Sequence, residues 1–292
     1  MESTLLNNIG DLSRPVTTLI EKVSNAVGII YEPTHLMRIA NAEVAAEKIR
    51  ALGKLEITEL QQRGLERLVR QEGRKQANIE QITGQAAGLL PKDAEVEGLD
   101  EDWIAHFFKQ CDIVSDKEMQ SLWAKLLSGE AARPGTFSKR TIDLVSTLDK
   151  KDAALFTTLC QFVWFLYSEP VALIYGIKNE IYSKLKITFY DLNHLTSIGL
   201  ISLEPLRGYQ RSGLGKQIVL RYYDREMLIE LPADENNKIG IGNVLLTSVG
   251  KELAPICGSS PNYEYYDLII QRLLASGQIL SSICQINPTS PD

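Results

Sequence analysis

The sequence has few of the residues that build local metal sites and redox motifs. Its four cysteines stand at positions 111, 160, 257 and 284, and the closest two are 27 positions apart. Zinc sites and reactive dithiols usually bring two cysteines within about two to four intervening residues. This spacing excludes both kinds of motif. We therefore predict reduced, mostly buried thiols in a cytosolic protein.

Catalytic motifs are also lacking. The three histidines, His35, His106 and His194, have no metal-ligating partner three or four positions away. No nucleophile elbow of the form GxSxG and no HExxH zinc motif occurs in the sequence. We predict a protein without cofactor or metal that is not an enzyme. An enzyme whose site is assembled from distant carboxylates stays the minor alternative, since such a site leaves no local signature.

The sequence contains no run of 18 or more uncharged apolar residues and no secretory signal pattern. A cytoplasmic location is therefore predicted. The nearest approach to a membrane segment is PVTTLIEKVSNAVGIIY, residues 15–31, which Glu21 and Lys22 interrupt. It reads as a soluble amphipathic helix. The alternative is a helix that inserts within an oligomer or lies on a membrane surface.

The patterning predicts a mainly α protein with four segments. Residues 1–90 form an N-terminal helical region suited to oligomerisation, with helices over 15–30 and about 36–88. Residues 91–102 hold six acidic residues and one lysine, which is typical of an exposed linker. Residues 103–169 read as a central bundle of short helices, the last of them running from Asp149 to about 168.

Residues 170–292 differ in texture from the rest of the chain. A short helix at 190–201 is followed by strand-like segments at 217–223 and 227–231, and then by a strand leading into a helix at 241–256. An amphipathic helix is predicted over 263–286. This order predicts a winged-helix-like module with a small β-hairpin. Because the segment has 11 basic and 12 acidic residues, contact with protein is favoured over sequence-specific DNA binding.

The sharpest charge pattern lies in the long helix predicted before the linker. Arg63, Arg67, Arg70 and Arg74 fall within an arc of roughly 60° and span about 16 Å along the helix axis. Such a row could track the phosphates of a nucleic-acid strand. The competing interpretation is an ordinary solvated or oligomer-facing surface, in which Glu59 pairs with Arg63 and Glu66 with Arg70.

A second basic stretch is GYQRSGLGKQ, residues 208–217. It resembles a phosphate-binding loop only by eye, because the required upstream glycine is missing. We interpret it as a flexible connection. Contact of Arg207, Arg211 and Lys216 with phosphate or another anion is the minor alternative.

Several phrases of the sequence resemble those of an uncharacterised bacterial family known only as a domain of unknown function. They are GIIYEP (28–33), RKQANIE (74–80), LWAKLLSGE with PGTFSKRT (122–141), LTSIGLI (195–201) and LTSVGKEL (246–253). The order of segments is also distantly similar to the Abi-alpha family of abortive-infection proteins. That second resemblance implies a role in bacterial phage defence and assigns no functional residue.

Three functional hypotheses follow from these observations. The first is a non-enzymatic interaction protein, homo-oligomeric or bound to a protein partner, that acts in phage defence. The second is a binder of nucleic acid or an oligonucleotide that uses the arginine-lined helix. The third is a membrane-acting effector that uses residues 15–31.

Overall fold

The computed structural model describes residues 13–27 and 58–282. The chain divides between Ser146 and Thr147 into two compact units. The four segments predicted from composition stay a prediction, and residues 36–57 of the predicted long helix lie outside the described residues.

The described residues of the first unit form helices joined by turns and loops, without a strand. The unit also has a short 3₁₀ turn at Val96–Gly98. The helices are α1 (Arg14–Val27), α2 (Glu59–Leu89), α3 (Glu101–Cys111), α4 (Lys117–Ala132) and α5 (Lys139–Thr147).

Side-chain caps begin these helices where polar residues precede the apolar stripes. Thr58 and Gln61 form a reciprocal capping box at the start of α2. Asp116 caps α4 by accepting hydrogen bonds from the backbone N–H groups of Glu118 and Met119. The sequence SDKE at 115–118 predicts Ser115 as this cap, so that prediction is wrong by one residue.

An aromatic cluster forms the centre of the first unit. The Phe107 ring stacks on Trp103 and meets Trp123 edge-on, with centroids 5.1 Å apart in both pairs. The Trp103 indole N–H donates to the Phe137 carbonyl oxygen at 2.8 Å. The apolar stripe that Trp123 shares with Met119 and Leu127 predicts a core position for it, and its full burial confirms this prediction.

Helix α1 buries its apolar face within the first unit. Val16, Leu19, Ile20 and Val23 are buried, and the helix packs against α3. Within residues 13–27 and 58–282, no helix combines the length and apolar character that crossing a bilayer requires. Surface insertion of residues 15–31 stays a prediction, and residues 28–31 lie outside the described part of the chain.

The second unit mixes helices with nine strands among its described residues. Its helices are α6 (Lys150–Leu159), α7 (Glu180–Lys184), α8 (Phe189–Ser197), α9 (Ser248–Leu253) and α10 (Tyr263–Ala275), with a 3₁₀ turn at Cys160–Phe162. Its strands are β1 (Val163–Leu166), β2 (Glu169–Ala172), β3 (Ile201–Leu203), β4 (Tyr209–Leu214), β5 (Gln217–Tyr222), β6 (Arg225–Glu230), β7 (Asn237–Gly242), β8 (Val244–Leu246) and β9 (Ile279–Ser282).

The strands form three antiparallel sheets. The largest has the order β2-β1-β5-β6-β9, and β3–β8 and β4–β7 make two-stranded sheets. In the largest sheet β5 and β6 form a tight hairpin in which Ile218 is opposite Ile229. Trp164 on β1 stacks on Tyr266 of α10 with centroids 5.4 Å apart. Aromatic side chains therefore hold the last long helix against the sheet.

The predicted mainly α class is wrong, because the second unit has three sheets. The predicted small β-hairpin does form, as β5 and β6, but it is part of a five-stranded sheet and not the wing of a mainly helical module. The predicted helix from Asp149 ends at Leu159, and Val163–Leu166 is a strand instead. Five consecutive apolar residues from Phe162 to Leu166 suit a buried strand as well as a helix, so periodicity could not separate the two.

Other local predictions in this unit are confirmed. The segments at 217–223 and 227–231 form the paired strands β5 and β6. The strand leading into a helix at 241–256 is found as β8 followed by α9, and Thr247 caps α9 by accepting a hydrogen bond from the Gly250 N–H at 3.1 Å. The helix predicted over 263–286 ends early, at Ala275, and β9 follows it; residues 283–286 lie outside the described residues.

Candidate nucleic-acid interface

Helix α2 has two halves with different surroundings. From Asn78 onward it buries Asn78, Ile79, Ile82, Thr83 and Ala86, and it packs against α4. From Glu59 to Arg74 it has no buried residue, and even Leu68 and Val69 are more than half exposed. The first half of α2 therefore presents its side chains to solvent.

The four predicted arginines lie on this exposed half. Arg63, Arg67, Arg70 and Arg74 are all exposed, and with Glu66 and Gln71 they line a shallow open groove along the helix surface. We call these four side chains the arginine face. Successive members are three or four residues apart, so their Cα atoms rise about 4.5–6 Å along the helix axis from one to the next.

Only one of the two predicted surface ion pairs forms. The Arg63 guanidinium lies 3.6 Å from the Glu59 carboxylate, and both side chains are exposed. Glu66 instead accepts a hydrogen bond from Gln62 at 3.4 Å. In the described part of the chain, no carboxylate lies within 4.0 Å of the guanidinium groups of Arg67, Arg70 or Arg74. An exposed pair such as Arg63–Glu59 contributes little, so four cations are open to an anionic ligand.

Lys75 marks the point at which α2 leaves solvent. Its ammonium group lies 3.3 Å from Glu72 and 3.4 Å from Asp112. The hydrogen bond to Glu72 and the charge of Asp112 raise the pKa of Lys75. The next basic residue after Arg74 is thus neutralised, which limits the arginine face to four members.

No aromatic residue occurs between Glu59 and Leu89. Proteins that bind single strands through their bases do so by stacking them on aromatic rings. The arginine face therefore offers charge and hydrogen-bond donors but no stacking surface from its own helix, which favours contact with phosphates over contact with bases.

The second predicted set of cations is mostly neutralised within the second unit. The Arg211 guanidinium lies 2.9 Å from Glu169, which also accepts a hydrogen bond from Lys251. Lys216 lies 3.2 Å from Asp234 and 3.9 Å from Glu230. The stretch 208–217 belongs mainly to β4 and the start of β5. Arg207 is exposed in the preceding loop.

The hydrogen bond from Lys251 and the charges of Lys251 and Arg211 lower the pKa of Glu169. Glu169 thus stays ionised and holds both cations. An incoming phosphate would have to displace a carboxylate from Arg211 or Lys216, whereas Arg67, Arg70 and Arg74 carry no such competitor among the described residues.

Two histidine–aspartate pairs were missed by sequence reasoning. His106 lies 2.7 Å from Asp143, and His194 lies 2.6 Å from Asp152. The partners are 37 and 42 positions apart in sequence, so no local motif could reveal them. His35 lies outside the described residues. Among the described side chains, no group of three or more His, Cys, Asp or Glu is arranged to hold a metal ion.

Comparison with known proteins places this architecture in a family. A model for a family of proteins of unknown function, DUF2806, matches residues 62–270. Because this range covers well over half of the 292 residues, the chain belongs to the DUF2806 family. The matched range includes the whole arginine face. No curated protein and no solved structure matches the chain.

Proposed function

We propose that this DUF2806 protein binds single-stranded nucleic acid through the arginine face of α2, by contacting phosphates without reading sequence. The observation that carries the proposal is a row of four exposed arginines, three of which have no carboxylate partner among the described residues. Guanidinium groups bind phosphate through two parallel hydrogen bonds.

The narrow arc of the arginine face suits a single strand. A row about 16 Å long and one side chain wide can follow one sugar–phosphate backbone. The two backbones of a duplex would need a wider basic surface. The lack of aromatic residues on α2 supports binding that tolerates any sequence, since base edges and base faces go unread.

The charge of the rest of the chain limits the expected affinity. The net charge is −6, and ten acidic residues against four basic ones lie between 91 and 130. Attraction is therefore local and is screened beyond about 8–10 Å at physiological salt. A dissociation constant of about 10⁻⁴ to 10⁻⁶ M is expected at that salt concentration, as for other non-specific complexes.

A salt titration tests the proposal. Binding of two unrelated fluorescent single-stranded oligonucleotides is measured by anisotropy, together with a duplex. The expected result is equal affinity for both single strands, with a slope of log K against log salt of about −3 for four contacts. Tighter binding of the duplex would contradict the preference for single strands. The absence of binding at low salt would refute the proposal as a whole.

Charge reversal tests the site. The triple variant Arg67→Glu, Arg70→Glu, Arg74→Glu should lose binding at low salt. The matched control reverses three exposed cations of the same unit, Arg133, Lys139 and Arg140, and changes the net charge equally. Equal loss in both triple variants would show a general charge effect and contradict the assignment to α2.

A second candidate function rests on another part of the same helix half. Leu65, Leu68 and Val69 lie on the side of α2 away from the arginine face, and Leu68 and Val69 are more than half exposed. We propose that this patch is the contact between copies of the chain, in keeping with the predicted non-enzymatic, homo-oligomeric interaction protein. A role in phage defence rests on the distant resemblance to the Abi-alpha family alone.

Light scattering after size-exclusion chromatography tests this second candidate. The expected result is a homo-oligomer at micromolar concentration. The Leu68→Glu substitution should dissociate it, and the exposed control Leu89→Glu should not. A strict monomer would remove the candidate. The defence role would be supported if the wild-type gene protects bacteria from phage and an oligomerisation-deficient variant does not.

A further inference from the structure

The chain brings two of its cysteines together in the second unit. Cys160 lies in the 3₁₀ turn after α6, and Cys257 follows α9, 97 positions later. The Thr157 hydroxyl donates to the Cys257 carbonyl oxygen at 3.2 Å. Because Cys160 is three residues beyond Thr157, both side chains lie on the same side of the chain. The contact at Thr157 thus places Cys160 beside Cys257.

The surroundings of the Cys257 thiol include a backbone carbonyl and the Cys160 side chain. The Cys257 thiol donates its proton to the Ala254 carbonyl oxygen at 3.2 Å. The Cys257 side chain lies near enough to Cys160 to raise the pKa of the Cys160 thiol.

The surroundings of the two cysteines differ. Cys160 is 2% exposed, whereas Cys257 is half-buried. Burial, and then the nearby Cys257 side chain, raise the pKa of the Cys160 thiol. Cys257 is the more exposed of the two residues, so a dissolved oxidant reaches it first.

We infer that Cys160 and Cys257 are an oxidation site at which peroxide converts the two thiols into a disulfide. The Cys257 thiolate attacks one peroxide oxygen, the O–O bond breaks, and a sulfenic acid forms with release of hydroxide, which takes up the displaced proton as water. The Cys160 sulfur then attacks the Cys257 sulfur as its proton leaves. The S–O bond breaks, and a second water is released.

The sum of the two steps is two thiols and one hydrogen peroxide giving one disulfide and two waters. The sulfur atoms must approach to about 2.05 Å for the bond to form. A small-molecule thiol reverses the reaction by exchange. In a reducing cytosol the pair rests as thiols, so the disulfide forms only on exposure to oxidant.

Closing this bond links the end of α6 to the segment after α9. The loop that it closes spans 97 residues and most of the second unit. A bond across so long a loop restricts the unfolded chain. Oxidation should therefore raise the urea midpoint of the second unit. This inference stands apart from nucleic-acid binding, because either can fail without the other.

Peptide mapping of the full chain tests the inference. The protein is treated with hydrogen peroxide, alkylated under denaturing conditions and digested without reduction. The expected result is one linked pair of peptides containing Cys160 and Cys257, lost after dithiothreitol. A linkage through Cys111 or Cys284, or conversion of Cys257 to sulfinic acid while Cys160 stays alkylatable, would overturn it.

Variants assign the order of the two steps. In Cys160→Ser, dimedone should trap a sulfenic acid on Cys257, since the resolving thiol is missing. In Cys257→Ser, Cys160 should stay reduced under the same treatment. The control Cys111→Ser removes another buried thiol and should oxidise like the wild type. Rapid oxidation of Cys160 in Cys257→Ser would contradict the assigned order. If a variant fails to fold, the peptide mapping of the wild-type protein still decides which cysteines pair.

Discussion

The Glu130 carboxylate accepts a hydrogen bond from the backbone N–H of Phe137 at 2.7 Å. Its other oxygen accepts one from the Gly135 N–H at 2.6 Å. Glu130 is only 3% exposed, and it fixes the turn that joins α4 to α5. The phrase SLWAKLLSGE, residues 121–130, is thus structural, because Trp123 is buried in the core and Glu130 holds the turn.

Replacing Glu130 tests this turn. Glu130→Gln keeps the shape but exchanges one accepting oxygen for an amide that cannot accept, so one backbone N–H loses its partner. We expect a loss of about 1–3 kcal/mol in the free energy of unfolding. Urea denaturation measures it. The exposed control Glu95→Gln should change stability little, and equal stability of Glu130→Gln and wild type would contradict the role.

Two glycines should respond to alanine in opposite directions. A Cβ on Gly250 would lie 2.1 Å from the Leu200 carbonyl oxygen, whereas one on Gly73 meets nothing within 4 Å. Gly250→Ala should destabilise by about 1–3 kcal/mol or more. Gly73→Ala, in an exposed helix interior, should stabilise by roughly 0.5–1 kcal/mol. Thermal melts compare the two, and the same sign of change in both would contradict the geometry.

The two basic regions should differ in their effect on nucleic-acid binding. Arg67→Gln removes an open cation and should make the salt slope shallower by about 0.7. Arg211→Gln and Lys216→Gln should leave the slope and affinity unchanged, because Glu169, Asp234 and Glu230 already hold these cations. Oligonucleotide anisotropy at several salt concentrations measures both. Equal losses would mean that the 208–217 stretch also binds the ligand.

Alkaline pH should destabilise the second unit. Burial raises the pKa of Tyr175 to about 12, and its hydroxyl donates to the Gly240 carbonyl oxygen at 2.5 Å. The folded state thus holds a proton that an unfolded tyrosine releases near pH 10. This contribution to stability is complete below pH 10 and is lost between about pH 10 and 12.

Urea midpoints measured from pH 8 to 12 check this dependence. Burial also raises the pKa values of Tyr222 and Tyr265, so Tyr175→Phe should reduce the loss in stability without abolishing it. Stability that stays constant across this range, or rises, would contradict the buried, neutral state of these tyrosines.

The sequence by itself determined those features in which neighbouring residues decide the structure. The stripe from Met119 to Leu127 is a helix with a buried face, because apolar residues three and four positions apart share one side of a helix. The hairpin of β5 and β6 follows from strand composition on either side of a short turn. The position of the arginine face follows from helical spacing alone.

Only the tertiary structure decided the features that join distant residues. Val163–Leu166 became a strand because β2 and β5 supply its hydrogen-bond partners, which no local pattern contains. Arg211 found Glu169, 42 positions away, while Arg67, Arg70 and Arg74 found no carboxylate in the described part of the chain. Local spacing sets which side of a helix a residue occupies. Its partner, however, depends on which segments fold against that side. The proximity of Cys160 and Cys257 likewise depends on how distant segments fold together.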